Sequence, residues 1–308
     1  MPSEERKRRM NQRDKETSPE LRIGEKVETK LARLSNKARK EPECRFSSLF
    51  HLMNEELLQE CFKELRKKAV PGIDEVTKVS YAENLERNIK ELVTELHRKS
   101  YRPCPALRKY IPKPGTAKQR PLGILTIEDK LVQRGLVRIL ECIYEEDFIR
   151  DSFGYRPNRS CHDALKALSH TVEKGKTNWI VEVDIKGFFD NLSHEWLEKF
   201  LNHRISDKRV IQLIKRFLKA GIIEEGELKR SEIGTPQGGP LSPLLANIYL
   251  HYTMDLWFEK KYKKSCKGEA RLIRYCDDFL VCFENQEEAE KFYQELAERL
   301  KKFNLEMG

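Results

Sequence analysis

The sequence predicts an α+β fold, and three observations carry that expectation. Apolar residues recur at helical spacing through much of the chain, as in NEELLQECFKELRKKA, where Leu57, Leu58, Cys61, Phe62 and Leu65 fall on one stripe. They alternate at strand spacing in two separate places, WIVEV and RLIRYCDDFLVCF. Helical and strand-like segments do not follow one another in a regular βαβ order, and no internal repeat is evident.

Taken in order, residues 1–43 are charged and poor in aromatics, with Pro19 and Pro42 interrupting them; residues 1–45 are therefore expected to be a basic, partly disordered or weakly helical extension. Asn54 is placed to cap the first strong helix, which Pro71-Gly72 stops. A second helix is expected from about Ser80 to Lys99. The proline-rich stretch YRPCPALRKYIPKPGTAKQRPLGI reads as a twisted hairpin of short strands. A helix should run from about Glu128 to Arg150, and another through Ala164, Leu165 and Leu168 after the turn at Phe153-Gly154-Tyr155. WIVEVDIKGFFDN is the clearest strand: Trp179, Val181 and Val183 face one way, while Ile180, Glu182 and Asp184 face the other. Helices follow around 193–203 and 206–220. Ser242 and Pro243 look like the cap and first residue of LLANIYLHYTMDLWFEKKY. Two strands then meet at Asp277-Asp278, and Asn285 with Glu288 suggests a capping box for the final helix.

The chain has 308 residues, with 59 Lys and Arg against 50 Asp and Glu, 39% hydrophobic residues and a mean hydropathy of −0.69. That length allows one large domain or two ordinary ones. No apolar run approaches the roughly 18 residues of a membrane span, and the first residues lack the apolar core of a secretory signal. A soluble, cytoplasmic protein with no membrane partner is expected. Eight scattered cysteines include no CxxC pair and point to reduced thiols. HxxxH, GxSxG and GxxxxGK[ST] are all missing, which disfavours zinc hydrolases, serine hydrolases and P-loop ATPases. The formal charge of +9 is localised: between Arg98 and Arg138 eleven basic residues face only Glu128 and Asp129. Such a window suits a polyanion, although a solvated basic face would look the same.

Two strand features end in carboxylates, Asp184 in one and Asp277-Asp278 in the other. Apolar walls raise the cost of ionising such acids unless a cation compensates. Mg²⁺ prefers one or two carboxylates completed by substrate phosphates. For any one aspartate at a turn, ordinary turn chemistry remains the alternative. The loop GTPQGGPLSP is rigid yet sterically open, so its amides could approach a phosphate or base pair; it could equally be a structural turn.

In these stretches, and in PGIDEVT, RKYIPKPGTAKQRPLGI, EDKLVQRGLVRILECIYEEDF, SFGYRPNRSCHDAL, VEVDIKGFFDN, GTPQGGPLSPLLANIYL and RYCDDFLV, the chain resembles the reverse transcriptases encoded by mobile group II introns, from about residue 46 to its end. The resemblance implies a right-hand polymerase with fingers at 46–125 and a palm at 126–308, whose antiparallel sheet packs on helices, cut off before the thumb. It implies RNA-directed DNA polymerisation by two Mg²⁺ ions, with Mn²⁺ able to substitute, held by Asp184, Asp277, Asp278 and the Ile185 carbonyl. Lys113 and Arg120 match triphosphate-binding positions, and Gln237 and Gly238 match contacts to the incoming nucleotide. Phe188 matches the aromatic residue that selects deoxynucleotides, with Phe189 as its competitor. Arg108, Lys109, Arg156 and Pro240 are expected on template or primer. Implied partners are an RNA template, a DNA or RNA primer, dNTPs and group II intron RNA in a prokaryotic cell, with homodimerisation left open. Two alternatives stand beside this: an RNA-binding maturase module that does not polymerise, and a retron or defence-type enzyme. Cys276 stands where the family usually has alanine, which suggests some sensitivity to oxidation. Glu75 stands where glycine is common.

Overall fold

The computed structural model describes residues 19–112, 115, 119–230, 232–235 and 238–308. Its elements mix helices with two small sheets, as the α+β expectation requires. Lys113 and Gln237 fall outside the described residues, as do residues 1–18.

Within the basic extension, residues Pro19–Lys40 form a helix, α1, more firmly docked than the weakly helical arm expected. Val27, Leu31, Leu34 and Ala38 recur at i, i+4, i+7 and i+11, and this stripe packs into the main core, with Val27 and Ala38 buried. Arg39 pairs with Glu146, and Glu28 with Arg138. The stripe is sparse enough among charges to be missed on composition, and its partner face lies about a hundred residues away.

Helix α2 spans Glu55–Glu64, and the Asn54 side chain accepts from the Leu57 amide at 3.0 Å, as expected. It ends at Glu64, seven residues before Pro71. The second expected helix is two, α3 (Lys78–Ala82) and α4 (Leu85–Arg98), divided at Glu83-Asn84. Thr77 and Ser80 form a capping box at the start of α3. The basic hairpin is present as β1 (Ala106–Pro112) and β2 (Gln119–Ile124), paired antiparallel from Leu107↔Ile124 to Pro112↔Gln119. Helix α5 (Ile127–Tyr144) is the most buried of the long helices, with Thr126 capping it. Then come α6 (Cys161–Lys174), β3 (Trp179–Val183), the short α7 (Phe188–Asn191), α8 (His194–Arg204) and α9 (Lys208–Lys219).

Strands β4 (Ile222–Glu224) and β5 (Glu227–Lys229) have no counterpart in the sequence reading. They return to the hairpin, β4 lying parallel to β1, and complete a four-stranded sheet ordered β2-β1-β4-β5. Three residues per strand leave too short a pattern for periodicity to register. Helix α10 starts at Leu241 with Pro240 in the cap position, so Ser242 lies within its first turn and is not the cap. After Leu250 the helix widens into π-helical turns at His251–Asp255 and Phe258–Tyr262 before closing at Ser265.

The second sheet is ordered β3-β7-β6, with β6 at Ala270–Tyr275 and β7 at Asp278–Phe283, antiparallel throughout. One face buries Val183, Leu272, Arg274, Phe279, Val281 and Phe283 against α10 and the final helix α11 (Gln286–Lys301). Phe292 of α11 anchors this layer, its ring within 5.2–5.8 Å of those of Tyr262, Phe283, Trp257 and Phe258. The capping box expected at Asn285 does not form: the Asn285 side chain makes no cap bond, and Glu288 instead accepts from the Lys267 and Gly268 amides. Beyond α11 the chain returns to β3, where Met307 bridges Ile185 antiparallel.

All eight cysteines are free thiols. Among the described residues no helix is long and apolar enough to cross a membrane.

Candidate active site

Strand register brings the acids together. β3 and β7 pair Val183 with Phe279 and Glu182 with Leu280. The pairing ends there, and extended by one residue its register points Asp184 toward Asp278. Both aspartates are exposed on the face away from the core, as the alternation in WIVEVD predicts. They line one cleft of about 530 Å³, whose wall continues through Leu165, Leu168, Ile273, Tyr275 and Leu280.

Asp277 sits in the two-residue connection between β6 and β7, closed by Tyr275↔Asp278. Cys276 there has φ +60° while Asp277 is not left-handed, the pattern of a II′-type hairpin turn. A non-glycine residue in that region carries a strain of roughly 1–2 kcal/mol. Burial raises the Asp277 carboxyl above its ordinary range, and the negative charges of Asp278 and Asp184 raise it further, while Arg120 opposes them. The three acids therefore feel one another electrostatically.

Arg120 arrives from the other sheet. It is exposed on β2, and its charge acts on both Asp277 and Tyr155. The glycine loop explains why the two sheets meet here. The Thr235 amide donates to the Phe189 carbonyl at 2.8 Å, and the Gly234 amide to the Leu192 carbonyl at 2.8 Å, tying the loop's start to the segment after Asp184. Three residues on, Gly238 lies flush against β2, at φ +115° and with room for no Cβ: one would stand 2.7 Å from the Gly123 carbonyl oxygen. The loop thus spans from the Asp184 segment to the basic hairpin. Pro240 is half-buried at the helix cap beyond it.

The expected site residues divide. Asp184, Asp277, Asp278 and Arg120 act on one another, while Gly238 lies against β2. The Ile185 side chain is buried, and the hydrogen bonds to the terminal segment flank it, Gly308 N–H to Asp184 and Lys186 N–H to Glu306, so that pairing leaves its own carbonyl unused. Lys109 is exposed on β1 and Arg108 is half-buried. The +9 window does not fold into one surface: Arg134 and Arg138 leave it to pair with Glu64, and Lys130 donates to the Val70 carbonyl.

Three expectations need correction. Arg156 is not offered to nucleic acid: it is 7% exposed, pairs with Glu145 and donates to the Ile149 and Ser152 carbonyls. Phe188 is 2% exposed, packed against Tyr249 and Phe189, so its ring is core. Phe189, half-buried and edge-on to Tyr155 with ring centroids 6.5 Å apart, is the ring nearer the open site. Cys276 is buried, and burial pushes its thiol up to about 12, which suppresses the thiolate that oxidation needs.

Residues that the motifs did not single out support the acid turn from behind. Gly154 lies directly on Cys276, where a Cβ would stand 2.2 Å from the Cys276 amide nitrogen. Asn247 donates to the Gly154 carbonyl at 2.8 Å, and Arg274 and Asp255 form a fully buried ion pair. Their signal was present: Asp255 is the one acid in the apolar run from Leu241 to Phe258, and Arg274 alternates with Leu272 on the core side of β6. A charge at a core position implies a buried partner.

The donor set fits a hard divalent cation. Asp277, raised by burial and by the charges of Asp278 and Asp184, is a carboxyl that such a charge would relieve. Among the described residues no three or more His, Cys, Asp or Glu side chains are arranged to hold a metal ion by themselves. Mg²⁺ asks for less, since it takes one or two carboxylates and completes its shell with water and phosphate.

Comparison with known proteins bears on the same segments. Residues 111–308 match the family model described as reverse transcriptase (RNA-dependent DNA polymerase). The group II intron-encoded protein LtrA of Lactococcus lactis subsp. cremoris is 42% identical over 227 residues, covering 70% of this chain and 38% of that protein. Protein YkfC of Escherichia coli K12 is 38% identical over 208 residues, 67% of this chain and 53% of its own. An uncharacterized 91 kDa protein in the cob intron of Schizosaccharomyces pombe is 43% identical over 180 residues, 58% of this chain and 22% of its own. The matched region spans well under two thirds of each relative's length. The acid-bearing sheet, the glycine loop and the second strand of the basic hairpin all lie inside the family match, and the chain belongs to the reverse transcriptase (RNA-dependent DNA polymerase) family, in its group II intron-encoded branch.

Proposed function

We propose that this chain is the fingers and palm of a group II intron-type reverse transcriptase that extends a primer on an RNA template with dNTPs. Fingers would comprise residues 46–125 and palm 126–308. The observation that supports the reading is that Asp184 and Asp278 line one cleft, while the charges of Asp278, Asp184 and Arg120 all act on the Asp277 carboxyl.

In this reaction the primer 3′-hydroxyl loses its proton to solvent, its oxygen bonds to the α-phosphorus of the dNTP, the bond from that phosphorus to the α–β bridging oxygen breaks, and pyrophosphate leaves with the bridging oxygen. Divalent Mg²⁺, two ions in this reading, supplies activation of the hydroxyl and neutralisation of the phosphates. Asp184, Asp277 and Asp278 would hold it, together with the Ile185 carbonyl. Arg120 places a fixed positive charge beside the acids, suited to the triphosphate and to charge that develops on the leaving oxygen. Lys113 and Gln237 are proposed alongside it on sequence grounds alone. The Gly238 backbone, lacking a Cβ, lets the loop close on the incoming pair, and Lys109 and Arg108 on the hairpin suit the template backbone. Phe189 takes the place of Phe188 as the ring proposed to crowd a ribose 2′-hydroxyl.

Primer extension on an RNA template with dNTPs and Mg²⁺ tests this. The chain should make DNA, and Asp277→Asn should make none. If the unaltered chain makes no DNA yet protects group II intron RNA at moderate salt, the maturase reading replaces this one.

A further inference from the structure

Behind the acid turn lies a group that the proposed chemistry does not use. Arg274 has no exposed surface, and every nitrogen of its guanidinium is engaged. Nε and Nη2 donate to the two Asp255 oxygens at 2.9 and 2.6 Å; Nη1 donates to Asn247 Oδ1 at 2.8 Å and to the Cys276 carbonyl at 2.9 Å. Three of these bonds anchor the side chain to one helical run, Asn247 in α10 and Asp255 in the π-helical turn that follows. The fourth ends on the turn that carries Asp277 and Asp278.

That turn needs support, because Cys276 is held at φ +60°. Its flank is held by the 151–154 segment: the Arg274 amide donates to the Asp151 carbonyl at 2.9 Å, the Phe153 amide to the Arg274 carbonyl at 2.8 Å, and Gly154 abuts Cys276. From beneath, the Arg274 guanidinium holds it. A fully buried ion pair adds little net stability over apolar residues of similar volume, so fold stability alone is a poor reason for this one. The planar fork of arginine can reach three acceptors at once, which a lysine ammonium cannot match in the same geometry.

We propose that Arg274, oriented by Asp255 and Asn247, is a positioning residue: it fixes the Cys276 carbonyl and thereby the setting of Asp277 and Asp278 against Asp184. The proposal rests on the polymerase reading for its effect on rate, but its structural half can be read without any activity.

Two variants test it. Arg274→Lys keeps a charge for Asp255, and the double variant Arg274→Met with Asp255→Leu removes the pair together, so that neither leaves a buried charge alone. Each is compared with the unaltered chain by thermal melting, by hydrogen exchange of the peptide spanning 275–279, by Mn²⁺ titration, and by single-turnover primer extension. Melting should stay cooperative and affinity for a template–primer duplex should be unchanged. Exchange at 275–279 should rise at least tenfold while the rest of β7 keeps its protection, Mn²⁺ should bind several-fold more weakly, and the extension rate should fall at least tenfold. Unchanged exchange at 275–279 in folded variants overturns the clamp. Raised exchange with an unchanged extension rate and Mn²⁺ affinity overturns the positioning role. Should the unaltered chain extend no primer, the polymerase reading fails on its own, and exchange with Mn²⁺ affinity still decides the role of Arg274.

Discussion

Phe188 and Phe189 show how much one position decides. The two are adjacent and identical in chemistry, and only burial separates them: one ring belongs to the core beside Tyr249, the other meets Tyr155 at the open site. Replacing Phe188 with alanine should cost about 3–5 kcal/mol of stability, the usual range for a buried phenylalanine, seen as a large fall in melting temperature with nucleotide choice retained in whatever folds. Phe189→Ala should melt close to the unaltered protein and raise ribonucleotide incorporation several-fold; equal discrimination in both would remove Phe189 from that role. Asp277 also carries a pH prediction. With its carboxyl raised by burial and by its acidic neighbours, protonation begins at a higher pH than for an ordinary aspartate. Primer extension should therefore decline on the acid side earlier than a normal carboxylate would dictate, and higher Mg²⁺ should shift that decline to lower pH.

Helix caps separate what local sequence can promise from what it delivers. Asn54 and Asn285 look alike in the sequence, each preceding an amphipathic helix with acids in its first turn. Only Asn54 makes its cap bond; at Asn285 the nearby Glu288 is drawn to the Lys267 and Gly268 amides. Asn54→Ala should cost about 1 kcal/mol and Asn285→Ala no more than a few tenths, measured by denaturant unfolding; similar losses would contradict the assignment. Helix α1 makes a companion case. Because Val27 and Ala38 are buried in the main core, Val27→Asp should destabilise the protein by at least 2 kcal/mol, whereas a dispensable arm would tolerate it.

Across the whole molecule, buried ionisable groups pull stability in opposite directions with pH. Burial depresses His251 to about 3; its ring lies edge-on to Phe148 and Tyr252. The unfolded chain binds that proton more readily, so this contribution is complete above about pH 6.5 and is lost as pH falls from there toward 3. Asp147 is raised to about 6, burial outweighing its contact with Arg204 at 3.0 Å. Here the folded state holds the proton more tightly, so its contribution is present at low pH and fades as pH rises from about 4 to 6. Melting temperature followed from pH 7 to pH 4 should therefore fall less for His251→Phe than for the unaltered protein; parallel curves would show that His251 does not titrate on unfolding.

Much was settled by sequence alone. Strand alternation in WIVEVD put Asp184 on the face away from the core, the pairing of RLIRY with FLVCF put Asp277-Asp278 at a hairpin tip, and the proline-spaced basic stretch was a hairpin. These are local patterns with a period of two, legible because each strand runs five residues or more. Tertiary structure decided the rest: that Asp184 and Asp278 line one cleft, that the glycine loop carries the Asp184 segment to the hairpin, that β4 and β5 complete the hairpin's sheet, and that Arg156 and Phe188 turn inward. Apart from Arg156, whose partners Glu145, Ile149 and Ser152 lie 4–11 residues away, each of those depends on partners tens to more than a hundred residues away, and burial, which separates a core ring from a half-exposed one, is a property of the packed chain and not of any segment within it.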